Sequence, residues 1–245
     1  MNRVAVVTGS GRGIGKAIAR RLAADGMDIA LIDISNNLED TTGEIAGETG
    51  RKVIAVKADL SDEAQILEAC NKIKEQFGEV DTLVNVAGVA WGTPFEETSA
   101  AEWDKVFAIN LKSGFLLAQQ FIGKMKDNGF GRIISISSMA GVMGSENAGC
   151  HYCASKAGVI GLVKYLSKSY ARYGITANAI APGPIESEMV KDLGAKTYQN
   201  LLDSMPAHKL GTPEQIAAVA SMLASEEGGF VTGTVIEASG GQLIV

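Results

Sequence analysis

Tyr152 and Lys156 stand four residues apart in Tyr152–Tyr173, a stretch whose pattern predicts a helix, so their side chains share one helical face. A phenol titrates near pH 10, roughly three units too high to act as a base at neutral pH, and an adjacent ammonium lowers that value by favouring the phenolate. Ser138 ends a predicted strand, where its hydroxyl can hold a substrate oxygen beside the Tyr152 hydroxyl. Asn110 falls within a long predicted helical region, and an amide buried there needs a polar reason. Tyr-x-x-x-Lys alone is a weak pattern. The four residues together predict proton transfer at an oxygen-bearing carbon, interconverting a carbonyl and a secondary alcohol.

Something must hold these groups together. Short apolar runs at Arg3–Thr8, Asp28–Asp33, Lys52–Lys57, Thr82–Val86, Arg132–Ser137, Thr176–Ala181 and Val235–Ala238 predict strands. Several are continuously apolar, such as Ile29-Ala30-Leu31-Ile32, as strands buried on both faces of a parallel sheet must be. Helical patterns separate them, among them Ile14–Ala24, Glu63–Phe77, Ala101–Met125 and Tyr152–Tyr173. The alternation predicts an α/β fold, a single-domain, doubly wound parallel sheet of about seven strands with helices on both faces, spanning residues 1–245. The polar segment 187–206 reads equally as a substrate lid or a surface insertion.

The first strand runs into Thr8-Gly9-Ser10-Gly11-Arg12-Gly13-Ile14-Gly15, where a helix begins. Gly9, Gly13 and Gly15 fit G-x-x-x-G-x-G. Such glycines let the backbone approach a pyrophosphate that rests on the helix N-terminus. Asp33 ends the second strand, where a carboxylate accepts hydrogen bonds from the adenosine ribose and repels a 2′-phosphate. Ile34 and Ser35 add no cation, so NAD is expected. Arg12 is the counter-signal for NADP.

A net charge of −6 argues against nucleic acid and against an anionic membrane surface. No apolar run approaches the roughly 18 residues a bilayer span needs. The start of the chain turns polar at Thr8, too soon for a signal peptide, and a cytoplasmic location is expected. Cys70, Cys150 and Cys153 are an odd set without a disulfide pattern. The C-x-x-C formed by Cys150 and Cys153 lacks a second ligand pair and predicts no metal site.

The sequence resembles the short-chain dehydrogenase/reductase family, and its Rossmann-type fold, over essentially the whole chain. The resemblance rests on the Gly9–Gly15 cradle, Asp59-Leu60, Asn85-Val86-Ala87-Gly88, Asn110, Ser138, Tyr152 with Lys156, and Pro182-Gly183. It implies that Tyr152 is the general acid/base, that Lys156 binds the nicotinamide ribose and lowers the Tyr152 pKa, that Ser138 orients the carbonyl, and that Asn110 supports a water-linked proton relay. It further implies that Asp59 and Leu60 lie near adenine, that Asn85, Ala87 and Gly88 flank the cofactor, and that Pro182, Gly183 and Ile185 line the nicotinamide. Ser187 stands where the family commonly has a carboxamide-contacting Thr, and Val86 replaces a frequent second Asn. The resemblance also implies a homotetramer.

The substrate class stays open. Asp33 and the polar pair Glu146-Asn147 favour an NAD-dependent dehydrogenase of a polyol, sugar acid or similar secondary alcohol. Gly161, Ala181–Ile185 and the short tail after Gly241 resemble 3-oxoacyl-acyl-carrier-protein reductases, which mostly use NADPH. An acidic carrier would seek cations, for which Lys124, Lys126, Arg132 and Arg172 are candidates. A non-catalytic NAD-binding scaffold is a further alternative. Trp91, Pro94 and Phe95 are candidate pocket walls. His151 and His208 are lone histidines, of which His151 either faces the substrate or is a cap or surface residue.

Overall fold

The computed structural model describes residues 3–187 and 195–244, without the side chains of residues 195–197. Seven strands form one all-parallel sheet: β1 (Val4–Thr8), β2 (Asp28–Asp33), β3 (Val53–Lys57), β4 (Thr82–Asn85), β5 (Gly131–Ile136), β6 (Ile175–Pro182) and β7 (Val235–Ala238), in the order β3-β2-β1-β4-β5-β6-β7. The order reverses between β1 and β4, which pair Ala5 with Thr82 and Val7 with Val84. A crevice opens beyond the carboxyl ends of such a pair. β4 ends at Asn85, one residue earlier than the apolar run predicts. The Val86 and Ala87 N–H groups instead bond the buried Thr8 hydroxyl, at 2.9 and 3.1 Å.

The helices are α1 (Gly13–Ala24), α2 (Leu38–Thr49), α3 (Glu63–Phe77), α4 (Ala100–Phe107), α5 (Ser113–Asn128), α6 (Ala140–Met143), α7 (Cys150–Tyr170), α8 (Ala195–Asp203) and α9 (Pro213–Ala224). Their starts are chemically marked. Asp62 accepts from Ala64 N at 2.8 Å, Ser99 from Glu102 N at 3.1 Å, and Thr212 with Gln215 closes a capping box ahead of Pro213. Apolar side chains of α1 and α9 cover one face of the sheet, including Ile18, Leu22, Ile216 and Leu223. Those of α3, α5 and α7 cover the other, including Ile66, Leu117, Phe121 and Val163. This matches the predicted doubly wound arrangement.

One helix departs from expectation. The pattern predicts a continuous helix over Ala101–Met125, but a π-helical turn, Ala108–Lys112, separates α4 from α5. Such turns often occur at functional sites. Here it carries Asn110 at its centre, 6% exposed. Of the polar segment 187–206, residues 188–194 lie outside the described residues. Its near end is pinned: Ile185 bridges Gly211, Glu186 N reaches Gly211 O at 2.9 Å and Gly211 N reaches Pro184 O at 3.0 Å.

Candidate active site

The loop leaving β1 packs directly on the loop leaving β4. A Cβ on Gly9 would lie 2.9 Å from the Ala87 backbone, and one on Gly15 would run into the Gly9 carbonyl. Only glycine fits either place. Among the described residues no side chain caps the start of α1. Its first N–H groups are therefore open to an anion, and the cradle fits a dinucleotide pyrophosphate. Asp33 closes the far side: one carboxylate oxygen accepts Gly11 N at 2.8 Å and the other Ser35 N at 2.8 Å. Asn37 and Thr41 hold the Gly11 carbonyl at 3.1 and 3.3 Å. Ile34 and Arg12 are exposed, and no partner is found for the Arg12 guanidinium among the described residues.

The neighbouring positions divide into those turned inward and those spent locally. Asp59 accepts both Ser61 N and Ser61 Oγ, at 2.8 and 2.7 Å, and Leu60 is buried. Asn85 donates to Ser135 Oγ at 3.3 Å, while its carbonyl oxygen is buried without a partner among the described residues. Pro182 ends β6, and Gly183 lies so close to Ser239 that a Cβ would come within 2.9 Å of Ser239 Cα. Ile14 and Ile185 are half-buried, and Ser187 is exposed.

Tyr152 lies in the first turn of α7, with its hydroxyl on the Ser138 side, where Ser138 opposes the rise of the phenol pKa. Ser138 Oγ also accepts the Ala140 N–H at 3.1 Å, so its own proton is free to be donated. One turn on, Lys156 is 3% exposed and donates from Nζ to Ile136 O at 2.8 Å. Ser137 Oγ bonds the Lys156 carbonyl at 2.8 Å. Burial lowers the Lys156 pKa to about 8. Its Nζ lies 5.7 Å from the Tyr152 ring centroid.

The expected depression of the Tyr152 pKa does not hold for the chain alone. Burial raises the phenol above its ordinary value, and the Ser138 hydrogen bond only partly opposes this. The sequence shows the cation but not how much water the phenol loses.

The Asn110 amide is fully used. Oδ1 accepts Val89 N at 2.8 Å, and Nδ2 donates to Val89 O at 2.9 Å and to Ser155 Oγ at 3.1 Å. Asn110 thereby ties the π turn to the loop after β4. A Cβ on Gly88 would lie 3.2 Å from Lys156 Nζ and 3.4 Å from Asn110 Oδ1, so that loop runs against both groups. Thr8, Ser137, Ser155 and Val89 are supporting residues that sequence reasoning missed. Their partners lie far along the chain, and no local pattern marks them.

Trp91, Thr93, Ala101, Glu102 and Lys105 line a cleft of about 490 Å³. Tyr152 is not among its walls, and His151 joins the two places through Glu102. Phe95, Glu146 and Asn147 are exposed. Cys153 Sγ faces Ser145 O at 3.7 Å and Cys150 Sγ faces Thr98 Oγ1 at 3.9 Å. Among the described residues no three His, Cys, Asp or Glu side chains are grouped to hold a metal. None of the described helices is long and apolar enough to cross a membrane.

The basic-patch expectation needs correction at Arg132, which is 4% exposed. Its guanidinium bonds the carbonyls of Ser225, Gly131 and Gly174 and stacks 4.0 Å from the Phe130 ring centroid, so it is structural. Lys126 and Arg172 both lean on Tyr173, at 4.6 and 5.1 Å from its ring centroid.

Comparison with known proteins agrees with this architecture. A family model described as enoyl-(acyl carrier protein) reductase matches residues 9–242. Nodulation protein G of Azospirillum brasilense is 40% identical over 98% of this chain and 97% of its own. An acetoacetyl-CoA reductase of Shinella zoogloeoides is 38% identical over the full length of both. The 3-oxoacyl-acyl-carrier-protein reductase FabG of Escherichia coli is 37% identical over 99% of this chain and 98% of its own. A parallel sheet reversing at a glycine cradle, matched end to end by such relatives, leaves one assignment: the chain belongs to the short-chain dehydrogenase/reductase family.

Proposed function

We propose that this protein reduces the ketone of a small 3-oxoacyl thioester to the secondary alcohol, using NAD(H), with Tyr152 as proton donor. The observation that carries the chemistry is the Tyr152–Ser138 hydroxyl pair beside buried Lys156, at the carboxyl ends of parallel strands. The thioester class is supported by the names of two relatives, acetoacetyl-CoA reductase and 3-oxoacyl-acyl-carrier-protein reductase. The polyol or sugar-acid reading rests on Asp33, which the NAD-dependent thioester reading shares, and on exposed Glu146 and Asn147. A small carrier is favoured over an acidic protein because Arg132 is buried and the chain carries a net charge of −6.

When bound, the nicotinamide supplies the hydride. Gly9, Gly13 and Gly15 with the start of α1 would hold its pyrophosphate, Asp33 its adenosine ribose, and Lys156 its other ribose. Ser138 donates a hydrogen bond to the substrate oxygen, and Tyr152 Oη gives that oxygen its proton. Burial keeps the phenol protonated at neutral pH, the state that reduction requires. Lys156 spends one N–H on Ile136 O and keeps two for the ribose and the phenolate left behind. Asn110 fixes Val89 and, through it, Gly88. Gly88→Ala would push on Lys156 Nζ and Asn110 Oδ1 together. It is expected to lower kcat roughly tenfold with little change in fold, read by kinetics and circular dichroism.

The proposed NAD preference is tested at Asp33. Asp33→Asn keeps one acceptor for the backbone bonds and removes the charge that would repel a 2′-phosphate. The ratio of kcat/KM for NADH over NADPH is expected to fall at least tenfold, about 1.4 kcal/mol. A wild-type enzyme already confined to NADPH contradicts the assignment and makes Arg12 the relevant cation. The substrate class is tested by following nicotinamide absorbance with acetoacetyl-CoA, a carrier-protein thioester, polyols and sugar acids. Activity only on polyols overturns the thioester reading.

A cytoplasmic homotetramer is part of the proposal. Exposed Phe115 on α5 and Tyr165 on α7, 45% and 64% accessible, support self-association. Sedimentation tests it.

A further inference from the structure

His151 immediately precedes the proposed proton donor, is 0% exposed, and has no part in the mechanism above. Its Nδ1 accepts the Tyr152 backbone N–H at 2.8 Å, and its Nε2 lies 2.7 Å from Glu102 Oε1. A ring nitrogen that accepts carries no proton, so the imidazole proton sits on Nε2 and is donated to the carboxylate. The same Glu102 oxygen accepts the Thr93 hydroxyl at 2.5 Å. These bonds, Thr93 first and His151 second, hold the Glu102 carboxyl below its ordinary pKa. Trp91 meets the imidazole edge-on, with ring centroids 6.3 Å apart.

Two features make this contact more than packing. The N–H groups of a helix's first turn have no carbonyl partner within the helix, and Gly149 ahead of α7 offers no side-chain cap. His151 therefore satisfies an orphan donor that belongs to Tyr152 itself. Glu102 lies on α4, which runs through the π turn to Asn110, and Asn110 grips Val89 beside Gly88. The imidazole thus joins the helix that carries the phenol to the helix that carries the amide.

We propose that His151 and Glu102 form a latch that fixes the height and rotation of the Tyr152 hydroxyl relative to Ser138 and Lys156. Both are positioning residues, and neither touches substrate. The inference rests on the reading of Tyr152 as proton donor. It accounts for a histidine whose two ring nitrogens are both engaged next to the reacting hydroxyl.

The test is steady-state reduction of acetoacetyl-CoA by the full-length protein, with the nicotinamide that the wild type uses best. His151→Gln keeps a donor directed at Glu102 and loses the acceptor for Tyr152 N–H. His151→Asn keeps that acceptor and cannot reach Glu102. Glu102→Ala removes the other half of the latch. Each is expected to lower kcat roughly tenfold or more, while KM for acetoacetyl-CoA and nicotinamide affinity by fluorescence change less than about twofold. The His151→Gln/Glu102→Ala double variant is expected to fall no further than the worse single, because a broken latch cannot be broken twice.

Unchanged kcat in folded single variants, multiplicative losses in the double, or losses confined to KM or nicotinamide affinity overturn the proposal. Where Glu102→Ala does not fold, Glu102→Met, similar in length and without an acceptor for His151, replaces it in the cycle. A wild type that turns over while the variants match it sinks the latch alone. A wild type that reduces no ketone with either nicotinamide sinks the reading of Tyr152, and the latch with it.

Discussion

Tyr152→Phe is expected to cut ketone reduction roughly a thousandfold or more while nicotinamide affinity stays within about twofold. The substitution keeps the ring and its packing and removes only the proton that the product alcohol needs. Ser138 is no substitute: an aliphatic hydroxyl is a far weaker acid than a phenol, and it has no buried ammonium one turn away. The sign of the pH dependence follows from burial, which raises the phenol above its ordinary value. Below that raised value Tyr152 is protonated, so the reduction rate is level through neutral pH, declines as Lys156 loses its proton above about 8, and declines further as the phenol ionises. Alcohol oxidation, which needs the phenolate, rises over the same alkaline range. Profiles of kcat against pH in both directions check this, and the Phe variant loses both limbs. A protein that only binds nicotinamide as a scaffold would keep its biological role after this change.

Lys156→Met is expected to slow reduction by ten- to a hundredfold, the equivalent of one or two pKa units of phenolate stabilisation. It is also expected to leave the fold no less stable at pH 7. Lys156 titrates at 10.5 in the unfolded chain and at about 8 in the folded one. Below about 8 both states hold the proton, and the buried charge costs roughly 3 kcal/mol. Between about 8 and 10.5 the unfolded chain binds more protons, so wild-type stability rises with pH across that window. Methionine removes this cost but strands the Ile136 carbonyl, a penalty of about 1–3 kcal/mol. Melting curves at pH 7 and 10 test the balance. The variant should match or exceed the wild type at pH 7 and lose that advantage by pH 10. A wild type whose stability falls from pH 8 to 10 would contradict the buried-ammonium account.

Legibility in the sequence followed the range of the physics involved. The strands were readable to within about a residue because strands covered on both faces must be apolar throughout, as β2 is from Ile29 to Ile32. Helix α3 was readable end to end, from Glu63 behind its Asp62 cap to Phe77. The π turn was not, because apolar spacing resumes on its far side and a five-residue turn leaves no compositional mark. The candidate site divides in the same way. Tyr152, Lys156, Ser138 and Asn110 could be singled out by residue type and spacing. What holds them could not: the Glu102 partner of His151 lies 49 residues away, and the Asn110 partner of Val89 lies 21 away. Arg132 read as a surface cation because the carbonyls that enclose it come from turns at Gly174 and Ser225. Burial also set the direction of the Tyr152 shift, and no local pattern reports burial.

The widened turn at Ala108–Lys112 fixes the length of its helix. Deleting a single residue there, other than Asn110, would close the widened turn into an ordinary helical one, leave α4 and α5 nearly in register and shift the residues of the turn itself. That closure would draw Asn110 off Val89 while Glu102 stays near His151. The amide anchor would fail, although every side chain named in the reaction would remain in the chain. Insertions and deletions that accumulate harmlessly in exposed loops are therefore expected to be rejected across these five positions, a pattern that random single-codon deletion with selection for activity can map.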